Sequence, residues 1–245
     1  MIEENQTIQT ADGEMPVDIV YPDRGPHPFV IMYMDAYGVR QELRDMALRL
    51  ATCGYFVALP NLYYRTVAGE LGPIPEPDEF ERLALLQNCV QSLTIPGVMN
   101  DTAALLQVAT RWPEAKVERI GCIGYCMSGR FAVAAATQFA DQVAAAASFY
   151  GTWLVSDDPL SPHRAAPKAS SAKVYFACAE HDHWTPLEDV EKLRRALKAA
   201  RSTAEIEIYH GASHAFAFPQ RRQYDRLAAA RHWERIVSLL RQSIG

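Results

Sequence analysis

The 245-residue sequence has no long apolar segment, no excess of basic residues and few cysteines. No apolar run approaches the roughly 20 residues that a helix needs to cross a bilayer. The formal net charge of -5 argues against nucleic acid as a partner, because phosphate binding needs a basic surface. The acidic and polar start, MIEENQTIQTADGEM, is unlike a secretory signal. These absences predict a cytoplasmic protein that neither enters a membrane nor binds nucleic acid.

The five cysteines have no regular spacing and no CxxC pair, which excludes a disulfide framework and a cysteine-ligated zinc site. Free cysteine is among the residue types most often buried, and four of the five are interpreted as small core residues. These four are Cys53, Cys89, Cys122 and Cys178. We therefore expect a reduced protein without a metal.

After a hairpin around Asp12-Gly13, predicted strands alternate with predicted helices. Strands are predicted at 29–34, 55–59, 120–124, 143–149, 174–179 and 204–209, and helices at 40–53, 78–93, 100–112, 127–139, 187–199 and near the C-terminus. Such alternation is typical of an α/β protein with a mostly parallel, doubly wound sheet flanked by helices, here a single domain over residues 1–245. Residues 60–77, rich in proline, glycine and tyrosine, are predicted to form a long surface loop that acts as a lid.

The segment around Cys126 has the pattern of a strand that turns sharply into a helix. Cys126 follows a predicted strand directly, and Gly124 and Ser128, two places to either side, are small. This resembles G-x-S-x-G with cysteine in the nucleophile position, where the tight turn strains its central residue and excludes large neighbours. The thiol would lie at a helix N-terminus, which favours the thiolate. Cys126 is therefore the predicted nucleophile.

A cysteine nucleophile needs a base, and the base needs a carboxylate that orients it. In α/β-hydrolases these residues follow the nucleophile in the order acid, histidine, each after a strand. Asp182 and His214 fit that order. Glu180 and His210 are alternatives, but they lie at strand ends, where the sheet would fix their side chains. We therefore predict Asp182 as the acid and His214 as the base.

His181 and His183 flank Asp182 and could be interpreted as metal ligands. No further cluster of His, Asp or Glu with ligand spacing supports a metal. Both histidines are interpreted as loop residues at the rim of the pocket.

Four motifs together resemble those of the dienelactone hydrolase family, and the resemblance covers nearly the whole chain. Residues 124–129, GYCMSG, resemble the family elbow G-Y-C-x-G-G. Residues 182–186, DHWTP, resemble D-H-F-V-P, and residues 214–216, HAF, resemble H-S-F. Residues 62–65, LYYR, resemble D-L-Y-x-R.

This resemblance implies an α/β-hydrolase fold of about eight strands, acting without a cofactor on a small ester or lactone. The Cys126 thiolate would attack the carbonyl to form a thioester. His214, oriented by Asp182, would protonate the leaving alkoxide and then activate water. The backbone N–H groups of Met127 and Ala36 would bind the oxyanion.

Three positions depart from the family pattern. Asp35 replaces a glutamate that holds the resting cysteine, Ser128 replaces a glycine of the elbow, and Phe218 replaces an arginine that binds the lactone carboxylate. A second substrate arginine corresponds to Arg82. We expect Asp35 to restrain the thiolate and an aromatic pocket to prefer neutral substrates, unless Arg82 or Arg65 supplies an anion site. The other predicted pocket residues are Tyr37, Tyr64, Trp153, Trp184 and Phe216.

Other functions use the same residues. The thiolate would also suit another electrophile, such as an organophosphate or an acyl donor in transfer. A ligand-binding protein that has lost turnover is a further alternative, against which the intact Cys, Asp and His argue. A thiol redox protein ranks last, because no second cysteine follows the elbow within a helical turn. We expect a monomer or a homodimer.

Overall fold

The computed structural model describes residues 1–169 and 171–245, and its centre is an eight-stranded sheet in the order β1-β2-β4-β3-β5-β6-β7-β8. The strands are β1 (Ile2–Thr10), β2 (Gly13–Tyr21), β3 (His27–Tyr33), β4 (Phe56–Pro60), β5 (Ala115–Tyr125), β6 (Val143–Phe149), β7 (Lys173–His181) and β8 (Glu205–Ser213). The pairs β1–β2 and β2–β4 are antiparallel, and the other pairs are parallel. The predicted α/β fold with a mostly parallel sheet is confirmed.

Helices cover both faces of the central strands, which explains why those strands are continuous apolar runs. The helices are α1 (Gln41–Thr52), α2 (Phe80–Ser92), α3 (Ile95–Ala109), α4 (Gly129–Gln138), α5 (Pro162–Ala165), α6 (Leu187–Ala199) and α7 (Arg226–Ile244). The guanidinium of Arg49 in α1 lies 4.3 Å from the ring centre of Trp233 in α7, so these helices are neighbours. Helices α3 and α4 contact each other, and α4 packs on β5 and β6. No helix in the described ranges is long and apolar enough to cross a bilayer.

Most element boundaries differ from the sequence prediction by a few residues, and two starts differ most. Helix α3 begins at Ile95 rather than at residue 100, because the Thr94 side chain accepts the Gly97 N–H and Pro96 lies in the first turn, where its missing N–H costs nothing. Strand β5 begins at Ala115 rather than at residue 120. Its first half is polar and partly exposed, so its sequence lacks the apolar run of the second half.

The segment 60–77 has no helix or strand beyond Pro60, as predicted, but the prediction that it lies on the surface is wrong for its first part. Tyr63 is 1% exposed, and its hydroxyl donates to the Ala36 carbonyl over 2.8 Å. Leu62 is equally buried. These apolar side chains pack at the strand ends, so the segment is anchored to the sheet.

The cysteines are free, and three of the four predicted core cysteines are buried. Burial raises the pKa of both Cys122 and Cys178 to about 12 and raises that of Cys89. Cys53 is exposed, because it is the residue that ends helix α1 on the surface. The prediction that Cys53 is buried is therefore wrong.

Candidate active site

The turn between β5 and α4 carries Cys126 in a strained backbone conformation. Its φ is 54°, in the left-handed region that residues with a Cβ rarely adopt. A Cβ at position 124 would lie 2.0 Å from the Ser128 carbonyl oxygen, so only glycine fits there. The geometry agrees with the predicted elbow, and the strain is typical of functional positions.

The loops after β7 and β8 bring Asp182 and His214 together. His214 Nδ1 lies 2.7 Å from Asp182 Oδ2, and the Asp182 side chain is 1% exposed. The other oxygen, Oδ1, accepts the backbone N–H groups of Trp184 and Thr185. Asp182 is therefore fixed, and it holds the ring of His214 through Nδ1.

Burial by itself would lower the pKa of His214, but its interactions with Asp182 and Cys126 more than offset this effect. They raise the pKa to about 10. The imidazolium is thus the stable form near neutral pH. A positively charged His214 therefore lines the same cavity as the Cys126 thiol.

The alternative acid and base also form a pair, at the same two strand ends. His210 Nδ1 lies 3.1 Å from Glu180 Oε1, and Glu180 also accepts the Gly211 N–H over 2.7 Å. The His210 side chain is 79% exposed, and neither residue lines the cavity that contains Cys126. This pair therefore lies outside the cavity of Cys126.

Cys126 and His214 open into a cavity of about 480 Å³. Its lining is mostly apolar and consists of Asp35, Ala36, Tyr37, Leu83, Leu86, Gln87, Val90, Gln91, Cys126, Met127, Tyr150, Thr152, Trp153, Trp184, His214, Ala215 and Arg221. The wall that sequence reasoning missed is helix α2, which contributes the five residues from Leu83 to Gln91. The segment 60–77, predicted as a lid, contributes none of the described lining. The volume suits a small organic substrate.

Ala36 and Met127 line the same cavity as Cys126. Within the described ranges, the Ala36 N–H donates to no other group. Two backbone amides of this cavity wall thus belong to residues in the same cavity as the thiol, and backbone amides are the usual donors to a developing oxyanion.

Asp35 is buried in the wall of the cavity that contains Cys126, and its carboxylate forms an ion pair. Arg40 NH1 and NH2 lie 2.6 and 3.1 Å from its two oxygens, and the Tyr37 N–H donates to it. Sequence reasoning missed Arg40, because nothing in the spacing from Asp35 indicates an ion pair. Arg40 also lies 2.7 Å from Glu42, so its charge is shared and offsets only part of the charge on the carboxylate that was expected to restrain the thiolate.

Tyr37, Trp153 and Trp184 line the cavity as predicted, but the other predicted substrate contacts do not. Phe216 and Phe218 are 0% exposed core residues, and the guanidinium of Arg40 lies 5.0 Å from the Phe218 ring centre. An arginine at position 218 would therefore be buried beside Arg40 rather than reach a substrate.

Three polar residues predicted as substrate contacts have partners elsewhere. Tyr64 and Arg65 both bind the buried carboxylate of Asp101. Arg82 binds Glu79 and lines a separate, smaller cavity. Their positions were wrongly predicted, because sequence spacing does not show which carboxylate a cation meets in the folded chain.

Arg221 is the cation that sequence reasoning missed. It lines the cavity, and its guanidinium lies 4.4 Å from the Tyr37 ring centre. It forms no ion pair with a carboxylate in the described part of the chain. It comes seven places after His214, in a loop whose course the sequence does not reveal.

Residues 1–169 and 171–245 contain no cluster of three or more His, Cys, Asp or Glu residues that could hold a metal. His181 and His183 lie outside the described lining of the cavity.

Comparison with known proteins places the whole chain among enzymes of one family. The model of the dienelactone hydrolase family matches residues 15–244. A candidate carboxymethylenebutenolidase of Escherichia coli K12 is 32% identical over 242 residues, which cover 96% of this chain and 85% of that protein.

Solved structures agree with this result. The crystal structure of a candidate dienelactone hydrolase from Klebsiella pneumoniae has a TM-score of 0.87 and 28% identity, and covers 98% of both chains. A dienelactone hydrolase-like promiscuous phosphotriesterase from metagenomic libraries has a TM-score of 0.77 with 18% identity over the full length of both chains, which shows the shared fold alone. The chain belongs to the dienelactone hydrolase family.

Proposed function

We propose that this hydrolase cleaves small carboxylic esters or lactones without a cofactor, through Cys126, His214 and Asp182. One observation carries the proposal: His214 is bound to Asp182 over 2.7 Å and shares a cavity of about 480 Å³ with a cysteine in a strained elbow. Acyl transfer to a thiol needs a nucleophile, a base and an orienting acid, and these three residues supply them.

In the first half of the reaction, the Cys126 thiolate adds to the substrate carbonyl. The negative charge moves to the carbonyl oxygen, where the amides of Ala36 and Met127 donate hydrogen bonds. When the tetrahedral adduct collapses, the C–O bond breaks and the His214 imidazolium gives its proton to the departing alkoxide. The products are a thioester on Cys126 and a neutral His214.

In the second half, neutral His214 removes a proton from water as the water attacks the thioester. Collapse of the second adduct breaks the C–S bond and releases the carboxylic acid. The thiolate and the imidazolium are restored. Asp182 keeps Nδ1 protonated throughout, so Nε2 is the nitrogen that exchanges protons.

The polarity of the substrate depends on Arg221. An aromatic and aliphatic wall favours a neutral acyl or alkyl group, in line with the sequence prediction. Arg221, which has no carboxylate partner in the described ranges, offers charge-assisted hydrogen bonds to an anionic group at one end of the cavity. We infer that the enzyme accepts lactones or esters that carry a carboxylate as well as neutral ones.

A panel of lactones and short acyl esters, assayed with wild type, Cys126→Ser and Cys126→Ala, tests the proposal. Cys126→Ala should fold and lose hydrolysis by on the order of 10³-fold or more. Cys53→Ala is the matched control, since Cys53 is the other cysteine that is not buried, and it should keep full activity. Activity retained in Cys126→Ala would contradict the assignment.

The same panel separates the alternative functions. An organophosphate or an added alcohol acceptor reports on other electrophiles and on acyl transfer. A protein that binds these compounds but turns over none of them would be a ligand-binding relative, and the proposed hydrolysis would be wrong.

A further inference from the structure

A buried hydrogen bond connects the nucleophile elbow to the loop that carries Ala36. Strand β3 ends at Tyr33, which pairs with Gly124, so the next carbonyl, that of Met34, lies beyond the end of the strand. The Ser128 hydroxyl donates to it, and both residues are 0% exposed. A buried carbonyl without a donor is costly, so this bond holds the start of the loop in place.

A second hydroxyl bridges the same two segments. The Tyr63 hydroxyl donates to the Ala36 carbonyl over 2.8 Å, and this hydroxyl oxygen also lies 3.5 Å from the Met127 sulfur. Tyr63 is 1% exposed, and burial raises its pKa well above the ordinary value, so the hydroxyl stays protonated and remains a donor.

Both contacts lie next to the two amides of the proposed oxyanion hole. Ser128 follows Met127, and Met34 is two residues before Ala36. We propose that the Ser128 and Tyr63 hydroxyls are positioning groups that set the spacing between the Ala36 and Met127 N–H groups. This inference rests on the proposed function.

The physical reason is that oxyanion stabilisation depends on donors fixed in advance, within roughly 0.5 Å of their working positions. The elbow and the Ala36 loop are about ninety residues apart in sequence and share no other described side-chain bond besides these. The family elbow motif has glycine where this chain has Ser128, and a glycine has no hydroxyl to donate to the Met34 carbonyl.

Ser128→Ala removes the hydroxyl but keeps the Cβ, whereas Ser128→Gly removes both. We expect kcat for ester hydrolysis to fall roughly tenfold to a hundredfold, less than for loss of a whole oxyanion donor, with KM changed by less than about threefold. The rate of Cys126 alkylation by iodoacetamide should stay within about twofold of wild type, because attack on an alkyl carbon creates no oxyanion. Tyr63→Phe should show the same split with a smaller loss.

Ser148→Ala is the matched control. Ser148 is 1% exposed at the end of β6, and its hydroxyl has no partner among the described residues, so this variant should keep wild-type kcat and alkylation. Equal losses of kcat and alkylation in the Ser128 variants would show general damage to the elbow and overturn the proposal, as would unchanged kcat.

If Ser128→Ala does not fold, Ser128→Gly and Tyr63→Phe still decide the question by the same two rates. A wild type without esterase activity would refute the proposed function, and this inference with it. An active wild type with unaffected variants would refute only the positioning role.

Discussion

Two histidine–carboxylate pairs lie at the ends of the same two strands, β7 and β8, yet they differ in their surroundings. Asp182 and His214 are mostly buried and 2.7 Å apart, and His214 lines the same cavity as Cys126. Glu180 and His210 are 3.1 Å apart, but the His210 side chain is 79% exposed. The residue types and the spacing between partners along the chain are nearly the same.

The difference shows that burial and a neighbouring thiol, rather than the pairing itself, distinguish one pair from the other. In water, an ion pair between exposed side chains is screened and contributes little. In the buried pair, the carboxylate has to offset the desolvation of the imidazolium. It does so with the help of Cys126, which is why the pKa of His214 is raised to about 10.

The largest expected effect comes from removing each histidine in turn. His214→Gln should lower kcat/KM by on the order of 10³-fold, because it removes both the general acid and the base. His210→Gln should stay within about twofold of wild type. Steady-state kinetics on one chromogenic ester compares the two variants. A loss of kcat/KM in His210→Gln as large as in His214→Gln would show that the assignment of His214 as the base is wrong.

The two carboxylates should repeat this contrast with a smaller effect. Asp182→Asn keeps an acceptor for the Trp184 N–H but loses the charge, so kcat should fall on the order of 10²-fold. Glu180→Gln should be nearly neutral. Circular dichroism on both variants checks that the fold is unchanged; equal kinetics for the two would remove the distinction between the pairs.

A third contrast between a cavity residue and its exposed neighbour is that of Arg221 and Arg222. Arg221→Gln should raise KM for a carboxylate-bearing lactone roughly tenfold, the effect of losing one charge-assisted hydrogen bond of about 1.5 kcal/mol. KM for a neutral ester should change little. Arg222→Gln should leave KM for both substrates unchanged. If Arg221→Gln also left the ratio of the two KM values unchanged, another residue would have to bind the anionic group.

The smallest effect concerns the pH dependence of stability. The folded pKa of His214, about 10, is above the ordinary value near 6.5 that applies when the chain is unfolded. The stabilisation is therefore fully present below pH about 6.5 and is lost as the pH rises towards 10.

Thermal unfolding measured across this range should show a Tm that falls more steeply in wild type than in His214→Gln, by a few degrees, given roughly 2–4 °C per kcal/mol for a chain of this size. His210→Gln should keep the wild-type slope. Parallel curves for wild type and His214→Gln would mean that the buried pair is not coupled to folding.

Local patterns predicted the elements on which the site is built. The apolar runs of the central strands, the small residues around Cys126 and the positions of Asp182 and His214 after β7 and β8 were readable, because strand ends on one edge of a parallel sheet must converge. The contacts of long side chains could not be predicted from these local patterns. Phe218 lies in the core and Arg65 binds Asp101, although both were predicted at the substrate.

The sequence by itself determined the α/β fold, the tight turn at Cys126 and the positions of Asp182 and His214 after β7 and β8, because each depends on neighbours along the chain or on strand order. Only the tertiary structure decided which histidine shares a cavity with the Cys126 thiol, that Arg40 pairs with Asp35, and that α2 and Arg221 complete the cavity. The physical reason is that burial and charge pairing depend on residues far apart in sequence, and their approach is set by how the loops pack over the sheet.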